Sequence, residues 1–351
     1  MPELEAAKPN YDAAASYVQG MAATLTYLPR IIEQQPPDGQ GFGDLETIIK
    51  GDPERLKEAV HKARIASNQG VINISQKLAE HDWGGWRVKS IEADGIARAL
   101  VFKTPENNTL VSFRGTQPTH LKQWAKDAEF LLQEMKLPSG DRCRGHPGFL
   151  EELGMISLPL TRELEEGRFA MTGHSAGGAM AVMYGLQQPE KDKVEGIITQ
   201  GQPRALDKEG AELVKAYFPD YFRVVNGNDI VPYLPPNLTV PVPLLNRIAL
   251  NQTDYFHAGT EIAFRNGLRV EESPEARATI QQALISVMGR LRVLHEVGDH
   301  SPGNYLESLR RDMERGSLII AQEHDITDPP VSGLNASAKA PRQQTKPPGL
   351  G

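Results

Sequence analysis

The residues with the clearest chemical meaning form the motif GHSAG at 173–177, in which a glycine stands two positions to either side of a serine. An apolar run precedes the motif, and a run of small residues typical of a helix follows it. Ser175 is therefore expected on a sharp turn between a strand and a helix, where Gly173 and Gly177 avoid collisions across the turn. Such a turn exposes the hydroxyl, so the motif predicts a nucleophilic serine.

A nucleophilic serine needs an imidazole as base and a carboxylate that orients the imidazole. With this type of turn, the residues follow along the chain in the order serine, acid, histidine. We predict Asp229 as the acid, because it follows the apolar strand 222–225 and would emerge at the carboxyl edge of a sheet. Asp254, Asp220 and Asp207 are the alternatives.

The candidates for the base are the histidines that follow Asp229: His257, His295, His300 and His324. His295 falls within an expected helix, His324 adjoins the Pro- and Gly-rich end of the chain, and an expected strand follows His257 closely. His300 begins a loop in front of a helix, from which an imidazole can project over the sheet edge. We therefore predict His300 as the base.

Ester hydrolysis passes through a negatively charged oxygen that N–H groups must stabilise. The N–H of Ala176 opens the helix after the serine, where unpaired N–H groups and the helix dipole favour an anion. A second donor should come from a loop after an earlier strand. Thr116, which follows Gly115 at the end of an apolar strand, fits this requirement.

The elements that must position these residues alternate along the chain. Between 149 and 231, expected helices alternate with short buried strands, the pattern of a mostly parallel sheet with helical crossovers. Residues 255–264 supply one more strand. Before them, 86–115 holds three β-rich runs separated by turn residues, which predicts antiparallel hairpins. The sequence therefore predicts an α/β fold.

The segment 117–138 predicts an amphipathic helix, because its apolar residues lie three and four positions apart. These residues are Leu121, Trp124, Ala128, Leu131 and Met135. Opening such a helix over a serine site exposes surface that only lipid or a membrane would cover. The segment is expected to be a lid, with a helix fixed on the core as the alternative.

The remaining segments complete the expected organisation. Residues 1–85 predict a helical region packed on the main domain, including a helix over 11–34, and 86–325 form that domain. A charged stretch predicts a helical insertion at 267–298. Residues 326–351 are rich in Pro and Gly and are expected to be disordered.

Composition excludes several functional classes. The 351 residues are 39% hydrophobic and carry a net charge of -7, so nucleic acid is not an expected partner. The single Cys143 rules out an internal disulfide and is expected to be an inert thiol. Neither a signal peptide nor an apolar membrane span is expected from the sequence, so the cytosol is the expected default location, with signal-independent export as the alternative. No cofactor or metal is expected.

Seven segments resemble the class 3 lipase family, the fungal-lipase-like branch of the α/β-hydrolases. They lie at 113–116, 124–127, 146–149, 172–178, 201–204, 228–232 and 299–305, within residues 86–310. The resemblance implies an α/β-hydrolase fold with antiparallel strands at the N-terminal edge of its sheet. It also implies a Ser175, Asp229 and His300 triad, an oxyanion hole of Thr116 and Ala176, and a lid at 117–137 that includes Leu121, Trp124, Asp127, Leu131 and Met135.

The implied reaction is hydrolysis of a lipid carboxylic ester at a lipid–water interface, as in a triacylglycerol lipase or esterase, through an acyl-enzyme. A phospholipase A that acts on membranes, exported as an effector, is the alternative among hydrolases. A non-catalytic protein that binds lipid or a partner is the alternative from another class. The presence of Ser175, Asp229 and His300 together argues against that third reading.

Overall fold

A computed structural model gives the fold and describes residues 11–27, 43–44, 85–115, 132–227, 229–235, 255–270 and 300–325. Side chains are described in these ranges except at 43–44 and 316–325. The chain divides into two compact units, residues 1–314 and residues 315–351. In the second unit, residues 315–325 are helical.

The described strands, in chain order, are β1 (Gly43–Asp44), β2 (Arg87–Ala93), β3 (Ile96–Lys103), β4 (Thr109–Phe113), β5 (Gln133–Lys136), β6 (Arg142–Gly145), β7 (Phe169–His174), β8 (Val194–Gln200), β9 (Tyr221–Asn226), β10 (Thr260–Arg265) and β11 (Leu268–Val270). All but β5 and β6 form one sheet, in the order β1-β2-β3-β4-β7-β8-β9-β10-β11. Strands β4, β7, β8, β9 and β10 are parallel neighbours. Antiparallel strands β1 to β3 extend the N-terminal edge. The predicted α/β-hydrolase fold is thereby confirmed.

The strands follow from their sequences. Strands β4 (TLVSF) and β9 (YFRVVN) are buried along their whole length, as parallel strands with helices on both faces must be. Between β2 and β3, Asp94 and Gly95 have φ angles of 53° and 70°. Asp-Gly is a preferred pair for a two-residue hairpin turn, which requires positive φ at both positions.

The described helices are α1 (Ala13–Leu25), α2 (Pro147–Glu163), α3 (Ala176–Gln187), α4 (Lys208–Tyr217) and α5 (Pro302–Asp325). Helices α2, α3 and α4 share one apolar core with Val101 of β3. Helices α1 and α5 share a second core with Leu100 and Phe102 of the same strand. Since adjacent residues of a strand point to opposite faces, the two cores lie on opposite faces of the sheet. No described helix has the length and apolar composition that a membrane crossing requires.

Helix α1 begins after Asp12, whose carboxylate accepts hydrogen bonds from the N–H groups of Ala14 and Ala15. The helix ends at Leu25, and a turn follows at 26–27, so the predicted helix over 11–34 stops earlier than expected. The part of the predicted helical region at 45–82 and the predicted tail at 326–351 lie outside the described residues. The domain boundaries stay predictions.

The helix predicted over 117–138 is wrong at its end. Residues Gln133–Lys136 form strand β5, which pairs with β6 in an antiparallel hairpin. Met135 faces Cys143 across the hairpin and is 3% exposed within the core. The hydrophobic packing of Met135 and a turn at Gly140 (φ 89°) therefore determine this local structure. Met135 is not part of a helical lid, and Leu121, Trp124, Asp127 and Leu131 lie outside the described residues.

The start of the predicted helical insertion at 267–298 is also wrong. Asn266 and Gly267 have φ angles of 52° and 72°, and strand β11 follows at Leu268–Val270, antiparallel to β10. Asn-Gly favours a tight hairpin turn, so residues 267–270 return along the sheet edge and do not begin a helix. Residues 271–298 lie outside the described part of the chain.

Candidate active site

Ser175 lies between strand β7 and helix α3, as the motif predicts. Its backbone has φ 59° and ψ -130°, a conformation that costs a residue with a side chain about 1–3 kcal/mol. A hydrogen bond of 2.8 Å from its N–H to the carbonyl of Gln200 holds the turn against β8. The neighbouring sheet and helix therefore impose the strained turn that presents the serine.

The flanking glycines are required by close backbone contacts. A Cβ at Gly173 would lie 2.7 Å from the backbone nitrogen of Gly178. A Cβ at Gly177 would lie 2.8 Å from the carbonyl carbon of Phe113, at the end of β4. Both distances are shorter than real Cβ contacts, so each position excludes a side chain. Helix α3 can thus start directly against two strands.

Asp229 follows β9 at the carboxyl edge of the sheet and is 1% exposed. Its Oδ2 lies 2.7 Å from Nδ1 of His300 and accepts a hydrogen bond of 2.5 Å from the hydroxyl of Tyr305. Its Oδ1 accepts a hydrogen bond of 2.9 Å from the N–H of Val231. Three donors therefore fix both oxygens of this carboxylate, and the predicted acid and base are in contact.

Tyr305 lies on helix α5 and connects the acid to strand β9. Its hydroxyl donates to Asp229 and accepts a hydrogen bond of 3.2 Å from the N–H of Asn226. Burial, followed by the negative charge of Asp229, raises the pKa of Tyr305 well above its usual range. The hydroxyl is therefore protonated at neutral pH and acts as a donor to the carboxylate.

His300 is 6% exposed and precedes helix α5. Gly201, which follows β8 with a φ of 58°, packs against its ring: a Cβ there would lie 2.9 Å from Cε1 of His300 and 3.0 Å from Oδ2 of Asp229. Position 201 must therefore lack a side chain for His300 and Asp229 to meet.

Three atoms of the site are buried without a hydrogen-bond partner in the described part of the chain: Oγ of Ser175, Nε2 of His300 and Nε2 of His174. His174, next to Ser175, places its ring centroid 4.5 Å from that of His300, with 37° between the ring planes. Ser175 and His300 thus lie in one buried cluster, in which Oγ of Ser175 and Nε2 of His300 do not form a hydrogen bond with each other.

Of the two expected oxyanion donors, Ala176 lies in the described part of the chain. Ala176 is the first residue of α3, where the N–H groups have no acceptor within the helix. Thr116 lies outside the described residues, but Gly115, which precedes it, is close to the nucleophile. A Cβ at Gly115 would lie 3.2 Å from Cβ of Ser175 and 2.5 Å from the carbonyl oxygen of His174. Gly115, the residue directly before Thr116, therefore packs against Ser175.

The other candidate acids have different positions. Asp207 caps helix α4 by accepting from the N–H of Gly210, and it forms an ion pair of 3.0 Å with Arg144. Asp220 is exposed in a turn. Asp254 lies outside the described residues. Asp207 therefore has a structural explanation, and Asp229 alone of the described candidates contacts a candidate base.

The other candidate bases are less well placed. Nε2 of His257 lies 2.5 Å from the carbonyl oxygen of Pro232. Burial, followed by the charges of Arg223 and Arg204, lowers the pKa of His257 well below its usual range. His295 and the side chain of His324 lie outside the described residues.

One contact of this cluster was not predicted from the sequence. The hydroxyl of Tyr27, in the turn after α1, lies 2.9 Å from Nδ1 of His174. The N-terminal region was expected to supply packing only, and nothing local in the sequence around Tyr27 indicates this contact. Cys143 agrees with its expected inert role, because it is buried and burial raises the pKa of its thiol to about 12.

Parts of this chain are similar in sequence to known proteins. The family model described as lipase (class 3) matches residues 110–239. The lipase of Rhizomucor miehei is 32% identical over 153 residues, which are 39% of this chain and 40% of that protein. Triacylglycerol lipase OBL1 of Arabidopsis thaliana is 29% identical over 181 residues, covering 37% of this chain and 34% of that protein. The chain thus spans well under half the length of these relatives.

A solved structure of the Rhizomucor miehei lipase propeptide complex aligns with a TM-score of 0.45 and 20% identity, over 73% of this chain and 70% of that chain. The matched residues 110–239 contain all of β4 except its first residue, the Ser175 turn, β8, β9 and Asp229. Through this segment, the chain is similar to the class 3 lipase family.

Proposed function

We propose that the chain hydrolyses carboxylic esters of lipids, as a triacylglycerol lipase or esterase, with Ser175 as nucleophile, His300 as base and Asp229 as the residue that orients the base. One observation carries this proposal. Ser175 occupies a strained turn, and the ring centroid of the preceding His174 lies 4.5 Å from that of the buried His300, whose Nδ1 contacts Asp229 while Nε2 has no partner in the described residues.

In the proposed reaction, Nε2 of His300 takes the proton of the Ser175 hydroxyl as Oγ attacks the ester carbonyl carbon. The N–H of Ala176 stabilises the resulting oxyanion, and Thr116 is the proposed second donor. His300 then protonates the departing alcohol, which leaves an acyl group on Ser175. Water, deprotonated by His300, attacks this acyl group and releases the carboxylic acid.

Asp229 has two roles in this mechanism. Its Oδ2 fixes the tautomer of His300 with the proton on Nδ1, so that Nε2 can accept a proton. Its negative charge then stabilises the imidazolium, and this effect is strong because the pair is buried. The hydrogen bonds from Tyr305 and Val231 keep the carboxylate in place while the charge on His300 changes.

The lipid substrate is supported by the similarity to the class 3 lipase family and by relatives that include triacylglycerol lipases. A lid over 117–131, with Leu121, Trp124, Asp127 and Leu131, remains part of the proposal. A relative from Malassezia globosa is described as a secreted mono- and diacylglycerol lipase. That description favours export of this chain over the cytosolic location expected from its sequence.

Release of fatty acid from a trioleoylglycerol emulsion tests the proposal, with phosphatidylcholine vesicles as a second substrate. The wild-type chain is expected to hydrolyse the emulsion, and Ser175→Ala is expected to lose this activity. Ser157→Ala is a matched control, because Ser157 lies on α2 and its hydroxyl bonds to the carbonyl of Leu153. Hydrolysis of the vesicles alone would favour phospholipase A, and no hydrolysis of either would contradict the proposal.

A further inference from the structure

The N-terminal helix brings a phenol to the residue beside the nucleophile. Helix α1 packs against β7, and Tyr27 follows its end by two residues. The Tyr27 hydroxyl lies 2.9 Å from Nδ1 of His174, and the two ring centroids are 5.7 Å apart at an angle of 72°. A segment far from the motif in sequence therefore contacts the position immediately before Ser175.

The same hydroxyl also contacts the strand end that leads to Thr116. A Cβ added to Gly115 would collide with the Tyr27 oxygen. The Tyr27 oxygen thus packs directly against the backbone of Gly115.

The direction of the bond between Tyr27 and His174 depends on the tautomer of His174. Burial is the main cause that raises the pKa of Tyr27, so its hydroxyl stays protonated. Burial, followed by the charge of His300, lowers the pKa of His174 well below its usual range, so its ring is neutral. Both groups are therefore neutral, and Tyr27 donates to Nδ1 when His174 carries its proton on Nε2.

The ring of His174, which is bonded to Tyr27, packs against the proposed base. Its ring centroid lies 4.5 Å from that of His300 and 5.5 Å from that of Tyr305, which also contacts Asp229. The ring of His174 is 3% exposed, so it has little freedom to turn while Tyr27 holds one of its nitrogens.

We propose that Tyr27 and His174 are positioning residues: Tyr27 ties the strand end at Gly115 to His174, and the His174 ring holds His300 in the orientation that reaches Ser175. This inference rests on the proposed function for the role of His300. It assigns to the N-terminal region a part in catalysis that neither the serine motif nor the family segment at 110–239 contains.

Tyr27→Phe removes the hydroxyl and keeps the ring. The loss of one buried hydrogen bond is expected to lower kcat about tenfold, with KM for a short-chain ester unchanged. Phosphonylation of Ser175 by a p-nitrophenyl phosphonate should slow by the same factor. Tyr184→Phe is the matched control, because it removes a buried hydroxyl that bonds to Thr161 at 3.1 Å, and it should leave both rates unchanged. A wild-type phosphonylation rate in Tyr27→Phe would overturn the proposal.

A double-mutant cycle separates positioning from general loss of packing. If Tyr27 acts through His174, the variant Tyr27→Phe with His174→Phe should be no slower than His174→Phe alone. Additive losses would contradict the proposal.

The tautomer of His174 provides a readout that does not require activity. Imidazole ¹⁵N NMR of the wild-type chain, with His174→Phe to assign the signals, should show a neutral His174 protonated on Nε2. A proton on Nδ1 would overturn the proposal even if Tyr27→Phe failed to fold. If the wild-type chain is not phosphonylated, the proposed function fails, and the tautomer still tests the contact between Tyr27 and His174.

Discussion

Nδ1 of His300 lies 2.7 Å from Oδ2 of Asp229, and their side chains are 6% and 0% exposed. This contact joins the loop before α5 to the loop after β9, two segments that are 71 residues apart in sequence. A charge that forms on His300 is therefore neutralised directly, with little screening by water.

Asp229→Asn tests this contact. The amide keeps the shape of the carboxylate but favours the wrong tautomer of His300 and cannot stabilise the imidazolium. We expect kcat to fall about 10³- to 10⁴-fold, measured with a soluble ester. Asp207→Asn is the control, because an asparagine can still cap α4 and Asp207 does not contact His300. An equal loss in both variants would count against the assignment of Asp229.

Gly201→Ala tests the packing of the base. The added Cβ would lie within 3.0 Å of three atoms of His300 and Asp229, at a position where φ is 58°. We expect kcat to fall by at least about tenfold, because displacing His300 weakens its approach to Ser175. Gly196→Ala, in strand β8 that precedes Gly201, adds a Cβ whose nearest neighbour is 3.7 Å away and should retain activity. Full activity of Gly201→Ala would show that the base tolerates displacement.

Met135→Ala distinguishes a core residue from a lid residue. Met135 is 3% exposed in the β5–β6 hairpin, so its truncation should lower the free energy of unfolding by about 2–5 kcal/mol. The ratio of activity above and below the micelle threshold of the substrate should not change. Met155→Ala, at a residue that is 41% exposed, is the control and should leave stability nearly unchanged. A stable Met135→Ala variant with altered interfacial activity would restore Met135 to the lid.

His146 is expected to contribute to acid sensitivity. It caps α2 by accepting from the N–H of Gly148, and burial lowers its pKa from 6.5 to about 4. The unfolded chain takes up this proton below about pH 6.5, whereas the folded chain takes it up only near pH 4, so stability falls as the pH drops through this window. The loss should reach up to about 3 kcal/mol at the lower end.

His146→Asn should remove this pH dependence, because asparagine caps helices and does not titrate. Urea unfolding at several pH values measures the effect. The free energy of unfolding of the variant should change less between about pH 7 and pH 4 than that of the wild-type chain. Parallel curves for the two proteins would mean that His146 does not titrate differently on folding.

The serine turn was predictable because its signals are local: a buried strand, two glycines and a helix follow one another within one segment. The spacing of apolar residues wrongly predicted a helix at Met135. A spacing of three and four residues also occurs when a short strand buries one side chain. The Asn266-Gly267 pair favours a turn, but the helical insertion was predicted to begin at residue 267 despite this signal.

Contacts between distant segments were harder to predict. The order of residues along the chain limited the choice of Asp229 and His300, but nothing in the sequence pairs Tyr27 with His174, which are 147 residues apart. That contact depends on the packing of α1 against β7. On the same helix, Gly20 allows a close approach to Leu309 of α5. Packing of this kind is a property of the whole fold.

The central claim is that Ser175 is an activated nucleophile. Incubation of the full chain with a fluorophosphonate, followed by intact-mass and peptide mass spectrometry, measures this directly. The account predicts a single covalent label on the peptide that contains Ser175, absent from Ser175→Ala and slowed in Asp229→Asn. A wild-type chain that remains unlabelled, or that is labelled at another residue, would contradict it.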